Sequence, residues 1–368
     1  MLFSPFKLRD LVLPNRIVVS PMGQYSASDG CATDWHMMHL GSLSVSGAGL
    51  LIVEAAAVHP NGRCSPVDLG IWSDRQAAAL EPVVAFCRRH GGARLGMQIY
   101  HSGRKGSITS AWENQLHIPE EQGGWPVCGA SPMPYADRGT PVVLDRRGIA
   151  EVIADFAAAA RRIDALGIDF LELHAAHGYL IHNFLSPLTN QRDDEYGGSR
   201  TGRLRFALEA FSAVRDAWPE RKPLGVRLSA TDWADGGWGI EDSVDLAVKL
   251  RDRGCDYICA SSGGAVPEQQ PQVFPGYQVA FAERIRREAG IATMAVGLIT
   301  EPRQASAIIE SSQADLIAVG RIMLYNPRWP WHAAAELGEQ FYCPNQYLRS
   351  HPSMRAVDPL KPSRKPAA

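Results

Sequence analysis

Short apolar runs recur along the chain, each followed by a longer stretch in which apolar positions return every three or four residues. The runs fall at 16–20, 50–54, 94–99, 169–173, 224–228, 256–260, 292–296 and 315–319. Most are apolar throughout rather than alternating, as expected for strands of a parallel sheet covered on both faces. The intervening stretches read as helices. Ile149, Val152, Ile153, Phe156, Ala160 and Ile163 form one stripe, with Glu151, Asp155, Arg161 and Arg162 off it. Gly167 is placed to end that helix. Asp242 is placed to cap a helix ending at Gly254, and Thr300 with Pro302 to open another. Repeated strand–helix units predict an α/β fold, a (β/α)8 TIM barrel. A doubly wound open sheet is the alternative that this pattern leaves.

One interruption breaks the rhythm. Residues 104–147 are rich in Gly, Pro, Trp and polar residues. They follow the C-terminal end of the third strand, the side on which barrels build active sites, so a lid or capping insertion is expected there. The predicted organisation is one barrel domain over 1–349 carrying this insertion, then a Pro- and Lys/Arg-rich C-terminal tail over 350–368.

Composition removes several function classes. The 368 residues are 45% hydrophobic, enough for a large core, and the formal charge is −2. No basic stripe offers itself to nucleic acid and no cationic cluster to an anionic membrane. The first ten residues carry Lys7, Arg9 and Asp10 where an export signal would be apolar. The most apolar stretch, 49–58, contains Glu54 and is too short to cross a bilayer. Cys31, Cys64, Cys87, Cys128, Cys255, Cys259 and Cys343 are scattered without paired zinc spacing, so reduced thiols and a cytoplasmic location are expected.

Barrel enzymes place their chemistry at the C-terminal strand ends, and loops after strands 7 and 8 often hold phosphate. That rule selects Ser20, Pro21, Met22, Gly23, Gln24 and Tyr25 after strand 1, and Ala55, Ala56 and Ala57 after strand 2. It selects Gln98 and His101 from strand 3, His174, His177, Gly178 and Tyr179 after strand 4, and Arg227 from strand 5. Ser261, Ser262, Gly263 and Gly264 follow strand 6, Gly297 strand 7, and Gly320 with Arg321 strand 8. The last three groups suit a phosphate cradle, because glycines let amides approach an anion and Arg321 adds a charged fork. His174 and His177 admit three readings: a pair of donors to one developing oxyanion, polar groups satisfying loop carbonyls, or metal ligands. The metal reading would need Asp169 or Glu172 as a third ligand, and no further His/Cys pair supports it. Arg227 is costly to bury without an anionic partner. Gln98 suits a heteroaromatic edge that alternates N–H and C=O.

These residues resemble the old yellow enzyme family of flavin oxidoreductases, closest to its bacterial subclass of xenobiotic reductases and thermophilic-like ene-reductases. The resemblance runs from Phe3 to about Arg349. It is carried in order by Asn15-Arg16-Ile17, Asp34-Trp35-His36, Gly103-Arg104-Lys105, His174-x-x-His177-Gly-Tyr179, Asp194-Glu195-Tyr196-Gly197-Gly198-Ser199, Pro275-Gly276-Tyr277-Gln278-Val279 and Ala295-Val296-Gly297-Leu298-Ile299-Thr300. It implies FMN across the barrel mouth, contacted by Ser20, Pro21, Met22, Gly23, Ala57, Gln98 and Arg227, its phosphate held by Ser262, Gly297, Gly320 and Arg321. His174 and His177 would take a substrate carbonyl. NADPH or NADH would reduce FMN, N5 would pass hydride to an activated alkene, and Tyr179 would supply the proton. Tyr25 would line the substrate side. Arg349 would enter a neighbouring subunit's site, implying a homodimer or homotetramer.

Two departures are visible. Where that subclass carries cysteine after Pro-Met, this chain has Gly23, so a shifted flavin potential and altered substrate orientation are expected. Arg200-Thr201-Gly202-Arg203 lacks the Asn found before the last Arg, a change expected to be structural. Related flavin barrels with an iron–sulfur cluster are disfavoured by the absence of four-cysteine spacing. A non-catalytic flavin sensor, or a reductase of nitro compounds or nitrate esters, remains an alternative. Tyr179 argues against the sensor, since binding alone needs no proton donor.

Overall fold

Each apolar run becomes a strand whose alternate side chains serve two different cores. The computed structural model describes residues 1–350. The eight barrel strands are β1 (Ile17–Val19), β2 (Leu50–Ala57), β3 (Arg94–Tyr100), β4 (Phe170–Ala175), β5 (Leu224–Ser229), β6 (Tyr257–Ser261), β7 (Ala292–Ala295) and β8 (Leu316–Val319). All pair in parallel, in sequence order, and β8 closes on β1 through Ile317 opposite Ile17. This is the (β/α)8 barrel that the pattern predicts. Val18, Leu50, Ile52, Phe170, Tyr257 and Met294 point inward and fill the barrel. Their neighbours Ile17, Val19, Leu51, Val53 and Leu171 point outward beneath the helices. The runs therefore read as continuous because both faces of each strand are buried.

Three local findings differ from expectation. A hairpin of Phe6–Leu8 and Leu11–Leu13 precedes the barrel, and its Leu8 and Leu13 join the interior cluster at the N-terminal end. Six residues of strand are too few to show as a period. Asp242 caps from inside its helix (Ile240–Arg251) rather than in front of it: it is the third residue, and accepts from the Gly239 N–H at 3.1 Å. The helix Pro302–Glu310 is preceded by Glu301, not Thr300. Thr300 instead offers its carbonyl to Trp329 Nε1 at 2.7 Å. Gly167, at φ +78°, does follow the helix Arg146–Ala165.

Residues 104–147 fold as short turns and a parallel pair, Cys128–Gly129 with Val142–Val143. They lie over the C-terminal strand ends. Arg104 donates to the carbonyls of Met133 and Pro134, both at 3.0 Å, and to that of Ala265 beyond β6. Ala130 N–H donates to Asn183 beyond β4 at 2.7 Å. Among the described residues no helix is long and apolar enough to cross a membrane. Residues 351–368, most of the expected tail, lie outside the described residues.

Candidate active site

The site begins with a tight exit from β4. His177 (φ +60°) and Gly178 (φ +75°) both take left-handed backbone, which turns the chain back over the barrel mouth. A non-glycine residue there costs of order 1–3 kcal/mol, so the surroundings must hold it. They do. His177 N–H donates to Ser229 Oγ at 3.0 Å, and the His177 carbonyl accepts from Lys105 Nζ at 2.9 Å. Gly178 N–H donates to His182 Nδ1 at 2.9 Å, and His182 Nε2 lies 2.9 Å from the buried Asp232 carboxylate. Gly264 presses on the same loop: a Cβ there would stand 2.5 Å from His177 backbone. Gly264 thus serves packing of the β4 exit, and neither Gly263 nor Gly264 lines the larger cavity described below.

This loop brings the two imidazoles together. His174 Nδ1 accepts from the Ala176 N–H at 3.1 Å, His174 Nε2 lies 3.2 Å from His177 Nδ1, and His177 Nε2 lies 2.7 Å from Ser261 Oγ. Burial first, then the Arg227 charge, pushes both rings well below the usual histidine pKa, so both are neutral. The Tyr179 ring meets that of His174 edge-on, with centroids 4.9 Å apart. Its hydroxyl pairs with Cys64, and the neighbouring Cys64 together with burial raises the phenol well above its usual range. Behind Cys64 stand Tyr100 and Asp68: the Cys64 N–H donates to Asp68 at 2.9 Å and to Tyr100 Oη at 3.1 Å. Burial pushes the Cys64 thiol up to about 12.

The barrel axis carries an unexpected carboxylate. Glu172 accepts from Gln98 Nε2 at 2.7 Å and from Tyr257 Oη at 3.1 Å, and burial raises its pKa. It keeps company with Gln98 and Arg227, not with the histidines as a metal ligand would. Among the described residues no cluster of three or more His, Cys, Asp or Glu is arranged to hold a metal ion. Gln98 gives one amide N–H to Glu172 and lines the cavity.

Two contiguous spaces open on these groups. The smaller, about 170 Å³, is lined by Gly23, Tyr25, Gln98, His174, His177, Tyr179 and Arg227. The larger, about 670 Å³, runs past Ser20, Pro21 and Met22 to Ser262, Gly297, Gly320 and Arg321. Pro21, Tyr25, His177 and Arg227 line both. Gly297 holds φ +121°, and a Cβ there would lie 2.8 Å from Gln278 Nε2. Ala57 is not on this surface. The register of β2 against β3 shifts between Val53 and Ala56, so Ala57 faces Cys64 and Tyr100 while Ala55 lines the cavity. Arg349 lines neither space; it belongs to the turn Asn345–Ser350. Sequence reasoning missed Cys64, Asp68 and Tyr100 as site residues. Their one available signal was position at or beyond the C-terminal ends of β2 and β3.

Two buried polar atoms on the cavity walls have no hydrogen-bond partner among the described residues, Arg227 Nε and Ser20 Oγ. A cation and a hydroxyl without partners beside a long cavity, with the Gln98 amide at one side and glycines and Arg321 at the far end, fit an anionic, flat, phosphate-bearing group such as FMN. The fold and the site define a flavin-binding barrel oxidoreductase. The chain matches the NADH:flavin oxidoreductase / NADH oxidase family over residues 1–340, and it belongs to that family. It is 46% identical over 352 residues to an NADPH dehydrogenase of Listeria monocytogenes serotype 4a (strain HCC23), covering 95% of this chain and 98% of the relative. An NADPH dehydrogenase of Geobacillus sp. (strain WCH70) is 44% identical with the same coverage. Among solved structures, morphinone reductase in complex with tetrahydroNAD superposes with a TM-score of 0.76 at 27% identity, over 96% of this chain and 93% of that one. The chain is accordingly an FMN- and NAD(P)H-dependent oxidoreductase of the old yellow enzyme type.

Buried neutral histidines carry a pH signature. Burial lowers His39 to about 4 and His101 to about 3, and His174 and His177 also fall well below the ordinary value. Each folded value lies below the unfolded one of about 6.5, so the unfolded chain binds more protons as pH falls, and stability falls with it. Glu54, Asp155 and Glu172, raised by burial, act with the opposite sign, but the four histidines outnumber these three. The thermal midpoint should drop steadily from about pH 6.5 towards pH 4, each histidine contributing up to about 1.4 kcal/mol per pH unit. A midpoint that rises over that interval would contradict the burial of neutral imidazoles.

Proposed function

We propose that the protein is an ene-reductase that reduces the C=C bond of α,β-unsaturated carbonyl or nitro compounds. The observation that carries this is the convergence of His174 Nε2 and His177 Nδ1, 3.2 Å apart, beside Tyr179. Neutral imidazoles donating to a substrate oxygen polarise the alkene, and those bonds strengthen as the oxygen gains charge in the transition state. FMN, when bound, would supply the redox chemistry that links hydride from NADPH or NADH to reduction of the alkene. Ser20, Pro21, Met22, Gly23, Gln98 and Arg227 would hold its ring, and Ser262, Gly297, Gly320 and Arg321 its phosphate. Tyr179 gives the α-carbon its proton. A phenol with a raised pKa keeps that proton until a strong base, the enolate carbon, is presented. Tyr25, whose ring meets Trp112 at 5.6 Å, lines the substrate side.

The test is anaerobic. NADPH should bleach the yellow protein, and cyclohexenone or a maleimide should restore the colour. Recovery by no activated alkene, enone or nitroalkene, would sink the proposal in favour of a flavin sensor. Tyr179→Phe should be bleached by NADPH as fast as the wild type, while reoxidation by cyclohexenone slows about 10²- to 10⁴-fold.

Gly23 bears on the outcome. The nearest atoms to a Cβ at Gly23 belong to the Tyr25 ring, at 3.6 Å, an ordinary contact, so Gly23→Cys fits without strain. A thiol there changes both the polarity and the space beside the ring. The variant should show a changed flavin midpoint potential and a changed product profile across an enone panel, and an unchanged pair of readouts refutes this role for Gly23.

A homodimer or homotetramer is part of the same reading. Arg349 sits on the turn beside a groove of about 390 Å³ lined by Met37, Met38, Phe86 and Tyr347, away from its own chain's cavity. Reaching a neighbour's cavity across that face would let it complete the substrate site. Sedimentation should show a dimer or larger, with Arg349→Ala raising KM for cyclohexenone several-fold; a monomer of undiminished activity excludes the arrangement.

A further inference from the structure

The histidine pair has a proton-count problem. His174 Nδ1 accepts from the Ala176 N–H, so the proton of that neutral ring sits on Nε2. Nε2 faces His177 Nδ1 at 3.2 Å, and only one proton fits between the two nitrogens. His177 Nδ1 is therefore the acceptor. Its own proton sits on Nε2 and is donated to Ser261 Oγ at 2.7 Å. Both rings are held neutral by burial, reinforced by Arg227, so neither gains a second proton cheaply. In this state the pair presents an incoming oxygen with one donor, not two.

We propose that Ser261 is a positioning residue that lets His177 change tautomer when a carbonyl oxygen enters between the rings. The oxygen takes the Nε2–H of His174 and releases His177 Nδ1. His177 then carries its proton on Nδ1, aimed at the same oxygen, and its Nε2 accepts from the Ser261 hydroxyl. The balance closes: one proton leaves Nε2 by exchange with solvent, one arrives at Nδ1, and the ring stays neutral. The hydroxyl turns about its Cβ–Oγ bond from acceptor to donor, which a methyl group could not do. Ser261 is 4% exposed, so bulk water is a poor substitute for it. The frame is fixed on both sides, since the Ser261 carbonyl accepts from Ala230 N–H at 2.8 Å and Ser229 holds the His177 amide.

This inference rests on the reading of the pair as carbonyl donors, and one experiment separates the two. The holoenzyme with oxidised flavin, labelled with ¹⁵N-histidine, is observed by NMR with and without saturating cyclohexanone, which has the carbonyl but no reducible alkene. His177 should be the Nε2–H tautomer alone and the Nδ1–H tautomer in the complex, with His174 Nε2–H in both. Cyclohexanone that shifts His174 while His177 stays Nε2–H overturns the role of Ser261 and leaves the carbonyl reading standing. Cyclohexanone that moves neither ring overturns both. Ser261→Ala should bind cyclohexanone about tenfold more weakly and fail to populate the Nδ1–H tautomer, with flavin content unchanged, and Ser261→Thr should restore both. An alanine variant that binds as tightly as the wild type and still changes tautomer overturns the proposal.

Discussion

The loop leaving β4 and the loop leaving β6 touch backbone to backbone, and the site depends on that contact. A Cβ at Gly178 would stand 2.0 Å from the Gly264 carbonyl, and one at Gly264 would strike His177. Two glycines therefore set how close the strands' exits can come, and with it the distance from His177 to Ser261. The left-handed turn at His177 is held by Ser229, Lys105 and the His182–Asp232 pair, none of which faces the cavity wall that the histidines form. Strain at the reacting loop is thus carried by buried polar groups behind it.

Burial then decides the charge of everything in front. The same dry surroundings keep the imidazoles neutral, hold the Cys64 thiol protonated and lower Lys105 to about 8. Arg227 faces the barrel axis with one N–H unpartnered and Glu172 beside it. A site built this way sets a cation beside the cavity and keeps the two imidazoles that line it uncharged. Neutral donors suit an oxygen that gains charge during reaction, because their hydrogen bonds strengthen with it while the ground state is held only modestly.

Cys64 and Gly23 stand on the wall beside Tyr25 and Tyr179. Gly23 stands where the family resemblance implies a thiol, and the Cys64 thiol pairs with the Tyr179 hydroxyl. Cys64 is buried and strongly protonated, so it acts as a hydrogen-bond partner rather than a nucleophile.

The period of the apolar runs, and the residues at their ends, determined the barrel, its strand order and most of the cavity: Ser20, Gln98, His174, Tyr179, Arg227, Gly297 and Arg321 all reach it. Those features are legible because strand ends of a parallel barrel converge whatever the details of packing. Tertiary structure alone decided the rest. The β2 register shift turned Ala57 away and Ala55 inward, and a shift of that kind leaves no trace in a run of three alanines. Glu172 met Gln98 across two strands 74 residues apart, which no local spacing records. Spacing left the histidines open to three readings. A ring nitrogen 3.2 Å from its neighbour and 2.7 Å from Ser261 supplied the geometry on which the donor reading rests, because hydrogen bonding is settled by distance and direction in space.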